Sequence, residues 1–284
     1  MSEYEKFEKK ISGKGNPLGL VFLEQLITKA KKCICKIYYQ GFGTGFFCKI
    51  PIDQSSERFV HVFFTNNHVL DFNFLNTENY INIEYLLESK KINLSSGNRF
   101  KYTNELLDYT IIEIFPSDNI KDFFDIDEGI IKKNENTFYQ GQDICIIQHP
   151  EGKEISFSQG EIINIIGFKI KHSASTKEGS SGSPIILVDK MTVVGMHSSS
   201  ITNKNLNGGI FMKNIIEDLY EKNLIYKIKE YKLNYSTNQK GSFDLNDNTE
   251  INKDNLKMFF TGCPVSGCPN NRKLNGFMGV ELLK

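Results

Sequence analysis

Apolar residues at Leu20, Phe22, Leu23, Leu26 and Ile27 recur with helical spacing, which predicts a short amphipathic helix within Pro17 to Lys31. From Lys32 the period changes. Short runs of β-branched and aromatic residues, separated by Gly, Asn, Asp and Pro, predict strands over Cys33 to Gln40, Thr44 to Ile50, Phe59 to Thr65, Tyr80 to Tyr85 and Tyr109 to Phe115. A second series follows at Asp143 to Gln148, Glu154 to Ser158, Glu161 to Ile170, Ile185 to Val188, Thr192 to His197 and Gly209 to Met212. A polar stretch around residues 116 to 140 divides the two series, so the pattern predicts an all-β protein built from two antiparallel β-barrels, about 32–120 and about 138–212. Met212 to Tyr220 reads as a helix with Ile215, Ile216 and Leu219 on one face, closing the domain near residue 222. Leu224 to Leu233 is periodic and fits either helix or strand.

The flanks differ in texture. Residues 1 to 15 are charged and broken by glycine, as expected of a loose arm, so 1–31 is read as arm plus short helix. The extension 223–284 contains a polar, Asn/Asp-rich linker at 236–255 and then a Gly- and Pro-punctuated segment of little periodicity.

Composition narrows the function classes. Across 284 residues, 34 Lys+Arg balance 34 Asp+Glu, so no charge excess points to nucleic acid or an anionic membrane as partner. The apolar run Leu18 to Leu23 is far too short for a bilayer span or a signal-peptide core, so the expectation is a soluble, cytoplasmic protein. Six scattered cysteines do not make a disulfide framework. Cys33, Cys35, Cys48 and Cys145 sit in strand-like runs as core side chains, while Cys263 and Cys268 have the spacing of half a zinc site without a second pair nearby. Residues 244–255 carry oxygen ligands at Asp244, Asn246 and Asn248 in partial likeness to a calcium loop, but Thr249 and Asn255 stand where the turn glycine and the bidentate glutamate belong. No cofactor is expected, and a solvated linker is the default reading there.

Three short stretches carry chemistry. In Lys177 to Ile185, a Gly/Ser turn runs into an apolar strand; Gly179 and Gly182 permit backbone shapes that would let the Gly179 and Ser181 amides share one small space beside the Ser181 hydroxyl. A simple hairpin turn of small residues is the alternative. His68 follows the strand Phe59 to Thr65, and imidazole is suited to take a serine proton near neutral pH. Asp108 opens the apolar run Tyr109 to Ile114 and can orient an imidazole and stabilise its protonated form; Asp71 and Asp122 compete for that role but open no apolar strand.

With His68, Asp108 and Ser181 in this order, the chain resembles the trypsin-like (chymotrypsin-fold) serine proteases. The resemblance is carried by Gly43-Thr44-Gly45-Phe46-Phe47, Thr65-Asn66-Asn67-His68-Val69, Asp108-Tyr109-Thr110-Ile111-Ile112, Gly179-Ser180-Ser181-Gly182-Ser183-Pro184 and Val194-Gly195-Met196-His197, and covers about residues 32 to 222. It implies two β-barrels with the three residues in the cleft between them, and hydrolysis of peptide bonds in a protein or peptide substrate through an acyl-enzyme, with Gly179 and Ser181 as the oxyanion hole. Ser180 stands where secreted digestive members have an aspartate that receives a newly cut N-terminus, and Val69 replaces their disulfide cysteine. The first departure argues against that activation route and the second for a reducing compartment.

Among these proteases the motifs are nearest to glutamyl endopeptidases. That likeness implies a pocket for the residue before the cut made by Thr176 and His197, with Ser175 and Ser198 beside them. A hydroxyl and an imidazole can hydrogen-bond a carboxylate or carboxamide, whereas a Lys or Arg pocket would want a buried acid. The expected preference is therefore Glu or Gln, against a pocket for small or apolar side chains in which His197 only closes its strand. The rival function is a protease-fold binding or scaffolding protein that captures peptides with little turnover.

Overall fold

The apolar runs of the first half form the body of a nine-stranded sheet, and those of the second half close into a barrel. The computed structural model describes residues 18–52, 58–85, 88–132, 136–201 and 206–232. The N-terminal arm, the linker, the calcium-loop likeness at 244–255 and the Cys263/Cys268 pair fall outside the described residues.

Helix α1 (Leu20–Cys33) forms where expected but buries Leu26, Ala30 and Cys33; of the apolar face its periodicity predicts only Leu26 is buried, Phe22 and Leu23 are half-buried, and Leu20 and Ile27 are exposed. The first sheet then contains β1 (Ile34–Tyr38), β2 (Phe42–Pro51), β3 (Arg58–Thr65), β4 (Tyr80–Tyr85), β5 (Glu88–Asn93), β6 (Lys101–Asn104) and β7 (Tyr109–Glu113) in the order β5-β4-β1-β2-β3-β7-β6. A short helix α2 (Phe72–Thr77) sits between β3 and β4. The order runs from β5 to β6 without closing, so the first of the two expected barrels is an open half-barrel. Its core packs Phe47, Phe63, Ile81, Ile83, Ile92, Ile112 and Ile114. Strands β5 and β6 are not expected from the sequence, because they occupy the two edges, where pairing of the backbone on one side fixes the strand with little apolar burial.

The polar connection at 116–140 is ordered where it is described. β8 (Phe124–Asp125) joins β2 in parallel, and α3 (Glu128–Lys132) follows. Between them Asp127, 1% exposed, accepts hydrogen bonds from Tyr139 Oη at 2.7 Å, Gly129 N at 3.0 Å, Lys190 Nζ at 3.0 Å and Thr192 Oγ1 at 3.1 Å. One buried carboxylate thus ties the connection to the second barrel.

That barrel comprises β9 (Asp143–Gln148), β10 (Ser156–Ile166), β11 (Lys169–His172), β12 (Pro184–Leu187), β13 (Thr192–Ile201) and β14 (Leu206–Phe211), closed in the order β10-β11-β14-β13-β12-β9. The expected break between Glu154–Ser158 and Glu161–Ile170 is corrected to one strand, β10, with the turn later. Gly160 reads as a breaker in sequence, yet it lies inside β10, where a Cβ would stand 2.2 Å from the Ala174 backbone nitrogen. Helix α4 (Met212–Glu221) buries Met212, Ile215, Ile216, Leu219 and Tyr220. Beyond it a short helical turn, Ile225–Lys227, leads into β15 (Glu230–Lys232), which pairs with β3 and returns the chain to the first sheet.

Cys35, Cys48 and Cys145 are buried free thiols in strands, as expected, and Cys33 is a buried free thiol that ends α1 rather than opening β1. Burial pushes Cys33 and Cys145 up to about 12, so they are inert core side chains. Among the described residues no helix is long and apolar enough to cross a membrane.

Candidate active site

Strand β3 ends at Thr65, and the turn that follows is closed by the Val69 and Leu70 amides donating to Asn66 O, both at 3.2 Å. This lifts His68 to the surface with its side chain half exposed, while Val69 packs against the backbone of Gly43, where a Cβ would lie 2.4 Å from Val69 Cγ1. Asp108 closes the turn between β6 and β7. Its φ of 48° is left-handed, a conformation that aspartate tolerates better than most residues, and Asn66 Nδ2 donates to its carbonyl at 2.9 Å.

The Asp108 carboxylate meets His68 across forty positions of sequence. His68 Nδ1 lies 2.9 Å from Oδ1 and 3.0 Å from Oδ2, and the His68 amide donates to Oδ1 at 3.2 Å. Ser198 Oγ donates to Oδ2 at 2.6 Å. The competing carboxylates are committed elsewhere: Asp71 caps α2 by accepting from Phe74 N at 2.8 Å, and Asp122 lies 3.9 Å from Lys32 Nζ.

The Gly/Ser turn is held by its carbonyls. Glu178 O accepts from Glu151 N at 2.5 Å, Gly179 O from Thr44 Oγ1 at 2.9 Å, Ser180 O from Ser183 N at 3.1 Å and Ser181 O from Thr44 N at 2.9 Å. Buried Ser180 contributes its hydroxyl to the turn, accepting from Lys177 N at 3.1 Å. Gly179, at φ 84°, passes so close to the His149 carbonyl that a Cβ would lie 2.7 Å from its oxygen. With the carbonyls engaged, the Gly179 and Ser181 amides donate to no group among the described residues. Ser181 Oγ itself donates to Ser198 O at 3.1 Å, and among the described residues no hydrogen bond joins it to His68.

His197, on β13, is fixed beside the turn by its backbone: Gly182 N donates to His197 O at 3.0 Å and His197 N to Ser183 O at 2.8 Å. Its ring is buried, with Nδ1 3.3 Å from Nε2 of the fully buried His172. Burial pushes His197 down to about 3 and His172 to about 4, so both imidazoles are neutral at neutral pH. Thr176 is half-buried on the segment between His172 and the turn; Ser175 is exposed, and its carbonyl accepts from Gln148 Nε2 at 3.0 Å.

Two residues of this cluster escape the sequence reading, His172 and the hydroxyl of Thr44, and the Ser198 hydroxyl bonds Asp108, a contact the sequence does not announce. His172 was detectable, since Ile170, His172 and Ala174 alternate inward at the end of β11. Thr44 was not: its hydroxyl serves a turn 135 residues away. Among the described residues no group of three or more His, Cys, Asp or Glu is arranged to hold a metal ion.

Comparison with known proteins agrees with this architecture. The structure is similar to the Rv3671c protease of M. tuberculosis in its active form, at TM-score 0.53 and 14% identity over 77% of this chain and 93% of that one. The inactive form of that protease gives TM-score 0.52 and 14% identity over 73% and 96%. The serine endoprotease from Yersinia pestis gives TM-score 0.51 and 16% identity over 74% and 68%. No curated protein matches the sequence. The family model of the trypsin-like peptidase domain matches residues 43–196, more than half of the chain and the span that holds His68, Asp108 and Ser181; the chain belongs to the trypsin-like peptidase family.

Proposed function

We propose that the protein is a serine endopeptidase in which Ser181 is the nucleophile, His68 the general base, Asp108 the residue that orients His68, and the Gly179 and Ser181 amides the oxyanion donors. The observation that carries this reading is the His68 Nδ1 contact with both Asp108 oxygens, made beside a serine turn whose two amides donate to no group among the described residues. With Nδ1 held as the donor, Nε2 is the basic nitrogen.

The resting Ser181 hydroxyl donates to the Ser198 carbonyl, so the reaction begins with a rotation about its Cα–Cβ bond toward His68. Ser181 Oγ then attacks the scissile carbonyl as Nε2 takes its proton, and the negative charge that develops on the carbonyl oxygen is met by the two amides. Collapse of the adduct breaks the C–N bond, and the imidazolium gives the proton to the leaving amine. Water, deprotonated by the same nitrogen, attacks the acyl-enzyme and regenerates Ser181. Asp108 orients His68 and stabilises the imidazolium.

For the residue before the cut we assign Glu or Gln, in the manner of glutamyl endopeptidases, with Thr176 and His197 as the polar groups of the pocket. His197 is supported from behind by His172, and neither imidazole carries a charge that would hold a carboxylate at neutral pH. Neutral imidazole hydrogen-bonds a carboxamide without any proton uptake.

A binding protein of protease fold is the second reading, favoured by the parked Ser181 hydroxyl alone. A fluorophosphonate probe distinguishes the two. Covalent labelling of the native chain, abolished in Ser181→Ala and His68→Ala, supports the enzyme; a folded chain that takes up no probe is the binding protein.

A further inference from the structure

The turn from Asn104 to Tyr109 ends by presenting Asp108, and both of its ends are gripped by one atom. Asp218 Oδ2, on α4, accepts from Asn104 Nδ2 at 3.0 Å and from Tyr109 Oη at 2.7 Å. Its other oxygen, Oδ1, lies 2.8 Å from Lys222 Nζ, one helical turn along. Tyr109 is fully buried and is the residue next to Asp108.

The turn needs such a restraint. Asp108 sits at φ 48°, a left-handed backbone that persists only where its surroundings hold it. Inside the turn the Leu107 amide donates to Asn104 Oδ1 at 3.1 Å and the Asp108 amide to Glu105 O at 3.2 Å, so the Asn104 side chain is itself part of the turn that Asp218 secures. Burial raises the Asp218 carboxyl, but the hydrogen bonds from Lys222, Tyr109 and Asn104 outweigh it and hold it below the usual carboxylate range. It is therefore an anion at neutral pH and a strong acceptor for both turn donors.

We propose that Asp218 is a positioning residue for the reaction: by gripping Asn104 and Tyr109 together it fixes Asp108 on His68, so that the helix following the second barrel sets the alignment of a pair in the first sheet. The proposal rests on the serine-peptidase reading above. Both Asp108 oxygens face His68 Nδ1, so a displacement of about 1 Å changes the direction and the hydrogen bonding of the imidazole together.

The test compares Asp218→Ala and Tyr109→Phe with Lys222→Met, which removes the ion pair on Oδ1 and leaves the contacts of Oδ2. Asp218→Ala should lower kcat by about tenfold to a hundredfold at nearly unchanged KM. Tyr109→Phe should lower kcat by a smaller factor, and Lys222→Met should lower the melting temperature without lowering kcat. A kcat within twofold of the native chain in Asp218→Ala, or a loss of kcat in Lys222→Met in step with its melting temperature, overturns the proposal. A crystal structure of Asp218→Ala reads the placement without any assay: Asp108 displaced from His68 supports it, and an unchanged pair overturns it. Absence of probe labelling in the native chain would count against the peptidase reading alone.

Discussion

Burial decides what His197 can offer a substrate. Held down to about 3, with His172 down to about 4, it is a neutral hydrogen-bonding group throughout the physiological range. A Glu carboxylate in the pocket would favour the imidazolium, so Glu binding takes up a proton and Gln binding does not. The ratio of kcat/KM for Glu over Gln substrates should therefore rise as pH falls from about 8 to about 6, and His197→Ala should abolish both the preference and its pH trend. A preference for Lys or Arg, or a flat ratio, removes His197 from the pocket. At this scale the chemistry-bearing residues were legible because each stands at a strand end or in a Gly/Ser turn, where a polar side chain has no packing reason to be. The Ser198 hydroxyl was not, since a serine in a Ser-rich strand end gives no sign of which neighbour it faces.

Between elements, β2 and the nucleophile turn meet through Thr44. Its hydroxyl donates to Gly179 O at 2.9 Å and accepts from His149 N at 3.0 Å, its amide donates to Ser181 O at 2.9 Å, and its carbonyl accepts from Thr65 Oγ1 at 2.9 Å. Thr44→Val keeps the shape but leaves a buried carbonyl and a buried amide without partners, a cost of roughly 2–4 kcal/mol. Denaturant unfolding should show that loss, and kcat should fall further than the folded fraction explains, because the Gly179 carbonyl loses the hydroxyl that holds the turn in place. Thr44→Ser should restore both. Equal activity in Thr44→Val would mean that the turn holds itself. The strands flanking this junction, β2 and β3, were readable from their continuous apolar runs. Edge strands β5 and β6 were hidden because polar side chains on an edge carry no period, and β10 because a strand glycine admitting a close neighbour looks like a turn.

For the molecule as a whole, buried neutral histidines set the acid limit. His172 and His197 take protons near 6.5 when unfolded but only near 4 and 3 when folded, so the unfolded state binds more protons below about pH 6.5. Stability is full above that range and is lost as pH falls through it, on the order of 4 kcal/mol from this pair by about pH 5. His61, held down to about 4 by burial and by Lys49, acts in the same direction. Urea titrations at stepped pH should show stability falling from pH 6.5 downward, before the carboxylates titrate, with a shallower slope in His172→Gln. Constant stability between pH 6.5 and 5 would contradict the burial of this pair.

The order of chemistry-bearing residues, the two series of strands, the flanking helices and the cysteine core are set by local pattern: periodicity, turn residues and side-chain type act over a few positions and are written in sequence. Where the Ser181 hydroxyl rests, what braces Asp108, and that the first sheet stays open while the second closes were decided only in three dimensions. Those outcomes depend on contacts between residues tens to more than a hundred positions apart. Such contacts are fixed by how strands register and how α4 docks, and no local stretch of the chain encodes them.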